Sequence, residues 1–105
     1  MNKDIFVFID MLNEIYYKDK DQRIIYKETR DNIRDVYFIS IELKSKTNKN
    51  RQNDIVLRVR SNNREKAADE FRNLFFSRKF LDLLDWYMNN GSYKGIIFKN
   101  LDTQK

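Results

Sequence analysis

Residues 44 to 66, KSKTNKNRQNDIVLRVRSNNREK, hold the side chains whose chemistry is easiest to name. Lys44, Lys46, Lys49, Arg51, Arg58, Arg60, Arg64 and Lys66 stand there with only Asp54 and Glu65. Eight cations against two acids make a net +6 in a chain whose total is +5. The remainder is close to neutral, so the excess charge is local. Lys and Arg neutralise phosphates and release counterions, while Asn48, Asn50 and Gln52 can donate to phosphates or base edges. An exposed edge strand also carries charge simply to discourage aggregation. A concentration this local, set against a neutral remainder, favours a surface made for a polyanion.

A second pattern lies beside the first. IELK at 41 to 44 contains Glu42 and Lys44 two residues apart, with Asp21 upstream at the start of an expected strand. It is similar to the acidic-acidic-lysine pattern of restriction-type nucleases. That resemblance implies carboxylates holding Mg²⁺ and a Lys positioning or activating the attacking water. Such a triplet also arises by chance in a chain rich in Lys and Glu, and the strand between it and the following helix departs from the usual nuclease order. Glu42 as partner of a neighbouring Arg is the simpler account. Asp82 with Asp85, and Asp10 with Glu14, lie at one-turn spacing and read as solvated helix charges. No metal site and no cofactor are expected.

Composition narrows the chemistry further. The chain has no histidine and no cysteine, which removes the usual general base, the commonest metal ligand, thiolate sites and disulfides together. At 105 residues, 41% hydrophobic and 14% aromatic, it can bury one modest core, so a single domain over 1–105 is expected. A pI of about 9.5 favours acidic partners. The segment MNKDIFVFIDMLNEIYY carries Asp4, Asp10 and Glu14 in or beside its apolar run and lacks a small-residue cleavage site, unlike a secretory signal. No apolar run reaches transmembrane length, and a cytoplasmic location without membrane contact is the default.

These side chains must be positioned by a short series of elements. Ile5, Phe8, Ile9, Leu12, Ile15 and Tyr16 recur at helical spacing over residues 3 to 17, with Asn2 available as a cap. RIIYKE, the turn-like TRDN and RDVYFISIELK predict two antiparallel strands, with Tyr37, Ile39, Ile41 and Leu43 on one face. After a flexible basic loop at 45–53, DIVLRVR alternates with Ile55, Leu57 and Val59 on one side and Val56, Arg58 and Arg60 on the other. A helix follows from SNNREKAADEF, where Asn62 and Glu65 have capping-box spacing and Ala67, Phe71, Leu74 and Phe75 face inward. The apolar phase then moves to Phe80, Leu83, Leu84 and Tyr87, which predicts a bend or a new helix near Ser77, ended by Gly91. YKGIIFK reads as a last strand or, alternatively, a docked tail, and 101–105 as a disordered end.

The fold class is therefore α+β: a three-stranded antiparallel sheet, extended to four if the last strand forms, with helices on one face and the order α-β-β-β-α-α-(β). Three strands followed by a helix starting in SNNREKAADEF are similar to the arm-type DNA-binding domain of tyrosine integrases. With the first helix included, the pattern over residues 3 to 76 resembles a double-stranded RNA-binding domain. The latter has a Gly-Pro-His loop that is missing here, and Glu65 and Ala68 stand where it has lysines. The likeness lies in element order, hydrophobic pattern and the basic helix start.

The reading that follows is a small, non-catalytic nucleic-acid-binding protein, with DNA favoured over RNA. Its outward sheet face shows Arg23, Lys27, Ser40, Lys44, Arg58 and Arg60, with Glu42 among them, and the loop and the second helix start add the other cations. Tyr16, Tyr17, Tyr37 and Tyr93 are better explained as core, whereas alternation puts Phe38 on the basic face as a stacking candidate. The alternative is a protein-interaction module, such as a phage-type inhibitor docking on a host enzyme or nucleoprotein complex, or a homodimer. For it the broad apolar load of FLDLLDWYMNN offers Phe80, Leu84, Trp86 and Tyr87 as anchors, although a core helix accounts for that load more simply. Lys-, Asn- and Ile-rich usage fits an AT-rich genome or mobile element. A Mg²⁺-dependent nuclease ranks third.

Overall fold

The alternation in YFISIEL makes a strand that needs cover on its apolar side, and the helices on either side of the hairpins in sequence supply it. The computed structural model describes residues 3–90 and 97–102, and only the backbone of 86–90. The order is α1 (Lys3–Tyr16), β1 (Gln22–Asp31), β2 (Val36–Ser45), β3 (Asp54–Ser61), α2 (Arg64–Phe75), α3 (Arg78–Asn90) and β4 (Ile97–Asn100). The strands form one sheet in the order β1-β2-β3-β4. β1, β2 and β3 are antiparallel, and β4 joins β3 in parallel. A parallel neighbour needs a long crossover, which α2 and α3 provide. The fourth strand thus forms, and the fold is α+β in the expected order.

Several boundaries differ from the sequence pattern for local reasons. β1 runs on through Thr29, Arg30 and Asp31, so TRDN is not the turn. The reversal is made by Asn32–Asp35, where the Asp31 carboxylate accepts from the backbone N–H groups of Ile33 and Arg34 at 3.0 and 3.1 Å. Asp35 takes the left-handed conformation at φ 55°, which Asp tolerates better than most residues. The cap of α2 is Asn63 rather than Asn62: its Oδ1 accepts from the N–H groups of Glu65 and Lys66, so the capping-box spacing does not apply. Ser77 separates α2 from α3 by accepting from the Phe80 N–H at 3.3 Å while donating to the Leu74 carbonyl at 2.6 Å. That hydroxyl is the physical cause of the phase shift.

In α1, Ile5, Ile9 and Leu12 are buried, but Ile15 is 65% exposed and Tyr17, just past the helix, is buried instead. Asn13 explains the geometry there. Its amide donates to the Ile24 carbonyl and accepts from the Ile24 N–H at 3.0 and 2.7 Å, covering the otherwise open edge of β1. Asn2, Gly91, Tyr93, Gly95 and residues 103–105 lie outside the described residues. Leu101, assigned above to the tail, donates its N–H to the Arg60 carbonyl at 2.8 Å and packs on the core.

The core is largely aromatic at its centre. Phe75 is fully buried, and its ring meets Phe8 of α1, Phe71 of α2, Phe76, and Phe80 of α3 at centroid distances of 5.4, 5.4, 5.0 and 5.2 Å. The Asp4–Arg72 pair, at 2.6 Å, ties α1 to α2 at the surface. The hydrogen bond from Arg72 holds the Asp4 carboxyl down at about 2.

Two outcomes follow. Phe75→Ala leaves a cavity at the junction of three helices and lowers unfolding free energy by about 3–5 kcal/mol in chemical denaturation. Because the folded Asp4 binds its proton less readily than the unfolded chain, the pair's contribution is present above the ordinary carboxylate range and is lost as pH falls from about 4 toward 2. In thermal melts over that window, Asp4→Asn should show a shallower loss of stability than the parent protein.

Candidate nucleic-acid interface

Cross-strand partners share a face, so the register defines what the side of the sheet away from the helices presents. Arg23 lies opposite Lys44, and Lys27 opposite Ser40. Ser40 in turn faces Arg58, and Phe38 faces Arg60. β4 continues both of these rows, setting Phe98 beside Arg58 and Asn100 beside Arg60. The expected basic face is thus assembled, with one change. The register shifts between Ile41 and Glu42, where Val56 has no partner and Ile55 comes opposite Glu42. This bulge brings Val56 into the buried cluster and puts Ile55 on the basic face, reversing their expected sides.

The cations divide by what already holds them. Lys46 donates Nζ to the carbonyls of Tyr17 and Lys18 at 2.8 and 3.3 Å, supplying a positive charge to the end of α1, which has no basic residue in its last turn. Arg51 pairs with Asp54 at 3.5 Å. Arg64 pairs with Glu28 at 2.5 Å, and that bond raises its already high pKa. Arg58 lies 4.0 Å from Glu42, 32% exposed, with its guanidinium 5.1 Å from the centre of the Phe38 ring. Lys44, Lys49, Arg60 and Lys66 have no carboxylate within ion-pair distance among the described residues, and neither do Arg23 and Lys27 on the same sheet face as Lys44 and Arg60.

The loop after β2 is folded onto β1. Asp21 accepts from the Ser45 hydroxyl at 2.8 Å, the Thr47 hydroxyl at 2.7 Å and the Thr47 N–H at 3.2 Å. These bonds, that from the Thr47 hydroxyl foremost, hold its carboxyl below the usual range. Asn48 is engaged by its neighbours: its N–H donates to Ser45 Oγ and its Oδ1 accepts from the Asn50 N–H. Lys49, Asn50, Arg51 and Gln52 form the exposed tip.

Glu42, Lys44 and Asp21 are not drawn into one cluster. Glu42 is 4% exposed, and its two oxygens accept from Asn53 at 3.0 Å and Ser40 at 2.9 Å, while Asp21 is used by the loop. Among the described residues no three acidic side chains come together as a metal site. On α3, Phe80 and Leu84 are fully buried and so offer no anchor to a partner; the side chains of Trp86 and Tyr87 lie outside the described residues. Among the described residues, a group of exposed apolar side chains lies on α1, at Phe6, Val7, Met11 and Ile15. There a groove of about 630 Å³ is lined by Lys3, Asp4, Val7, Phe8, Met11 and Phe76.

Phe98 is the residue that sequence reading missed. It is 51% exposed and sits in the same row as Arg58. Alternation in GIIFK could have marked it as opposite in sense to Ile97, but only the pairing of β4 with β3 puts it on the basic face. The split between structural and free cations has a direct check. Lys46→Met should lower unfolding free energy by about 1 kcal/mol, whereas Lys49→Met should stay within about 0.5 kcal/mol of the parent, both measured by urea denaturation. The chain matches no known family model, no curated protein and no solved structure.

Proposed function

We propose that this protein binds nucleic acid, DNA in the first place, without transforming it, and that the outward face of its sheet is the contact surface. The observation that carries this reading is the set of cations on one face that have no carboxylate partner among the described residues. Arg23, Lys27, Lys44 and Arg60 line it, and Phe38 stands between them. A solvated edge that merely resists aggregation has no need to array its charges over three strands. A phosphate backbone is the ligand that rewards such an array, because each neutralised phosphate releases counterions. The loop tip, with Lys49 and Gln52, and the start of α2, with Lys66, add further unpaired positive charge. No helix among the described residues is long and apolar enough to cross a membrane; a cytoplasmic setting belongs to this reading.

The test is fluorescence anisotropy with labelled single-stranded DNA, duplex DNA and duplex RNA over a salt series. Four phosphate contacts predict a slope of log K against log salt near −3 for a single strand and about −3.6 for a duplex. Lys27→Gln/Arg60→Gln should flatten the slope by about 1.4 on a single strand and leave the melting temperature unchanged. Absence of binding to every probe at low salt overturns the reading. It would leave the protein-interaction alternative, for which the exposed apolar residues of α1 are the candidates among the described side chains.

A further inference from the structure

We infer that the outward sheet face takes single-stranded nucleic acid, with unpaired bases stacked on Phe98 and at Phe38 and the linking phosphates on Arg60 and Lys27. This rests on the nucleic-acid reading above and adds to it the class of ligand. The starting point is Phe98, an aromatic ring half exposed on a strand at the edge of the sheet. A large apolar ring in that position is a liability in an edge strand, and the core is already closed on the other side by Ile97. Its neighbours are cations, Arg58 directly beside it and Arg60 one step along the same face.

Phe38 completes the platform from the second strand over. Its ring already lies against the guanidinium of Arg58 at 5.1 Å, so a base can stack on the free side of the ring or on the guanidinium plane itself. Glu42, 4.0 Å from the same guanidinium, favours keeping Arg58 on this face. Strand spacing decides between single and double strands. Phe38 and Phe98 are two strands apart and offset by two residues, which separates their Cα atoms by about 12 Å. Neighbouring bases in a duplex step by about 3.4 Å and stay stacked on each other, so a duplex cannot offer one base to each ring. Bases splayed from an extended single strand can reach both, with Arg60 between them for the backbone.

The experiment compares short labelled single strands of DNA and RNA, the corresponding duplexes, and a strand of the same length whose central residues are abasic. Wild-type protein is set against Phe98→Ala and Phe38→Leu, with melting temperature as the folding control. Expected are a preference for intact single strands over duplex and over the abasic strand of at least about tenfold. Phe98→Ala should lose about tenfold or more in single-strand affinity while its salt slope is unchanged, because no phosphate contact is removed. Equal binding of the abasic and intact strands, or a preference for duplex, overturns the stacking inference and leaves phosphate binding standing. The abasic comparison needs no variant and so holds even if Phe98→Ala melts early. No binding to any strand at low salt overturns both this inference and the reading beneath it, and turns attention to a protein ligand.

Discussion

The ring of Phe75 is where the three helices meet, and the rest of the molecule is arranged around keeping it dry. Phe8, Phe71, Phe76 and Phe80 surround it, one or more from each helix or its cap. Closely packed aromatic rings fill space with little freedom to rearrange, so the positions of α1, α2 and α3 are set together. All three must then lie on the same side of the sheet. The other side is left for polar and charged residues, and the binding surface proposed here is a consequence of where the core was built.

That second side is organised by a small number of buried polar contacts. Glu42 sits almost out of solvent at the middle of the sheet face, accepting from Ser40 and Asn53 and lying beside Arg58. A carboxylate removed from water costs free energy unless donors surround it, and here they do. It lies 4.0 Å from Arg58, which stacks on Phe38, while among the described residues Arg60, Lys27, Lys44 and Arg23 have no carboxylate partner. The surface therefore combines a guanidinium-aromatic pair with unpaired cations around it. Planar groups suit bases, and exposed cations suit a phosphate backbone.

The loop between β2 and β3 shows how charge on a sequence can mislead when its role is structural. Lys46 belongs to the basic run, yet its ammonium ends α1, a helix that brings no cation of its own to its last turn. Arg51 and Arg64 are similarly committed to Asp54 and Glu28. Counting charges along the chain treated all eight cations as equal. Folding sorts them, because a carboxylate distant in sequence, or the backbone carbonyls just past a helix end, become neighbours only once the elements are docked.

Period-two and period-3.6 patterns are properties of the chain itself, and they were enough for the element order, the α+β class and the inward faces of β1 and β2. The alternation of Arg23, Lys27, Ser40, Arg58 and Arg60 was likewise legible, since strand geometry alone puts every second residue on one side. Three things required the tertiary structure. The bulge opposite Ile41 and Glu42 exchanged the sides of Ile55 and Val56, because one extra residue in a strand inverts the alternation beyond it. The cap of α2 moved from Asn62 to Asn63, whose amide oxygen could reach the free N–H groups of Glu65 and Lys66. Phe98 came to the basic face only because β4 pairs in parallel with β3, and strand pairing across a helical crossover is decided by packing that no local run of residues contains.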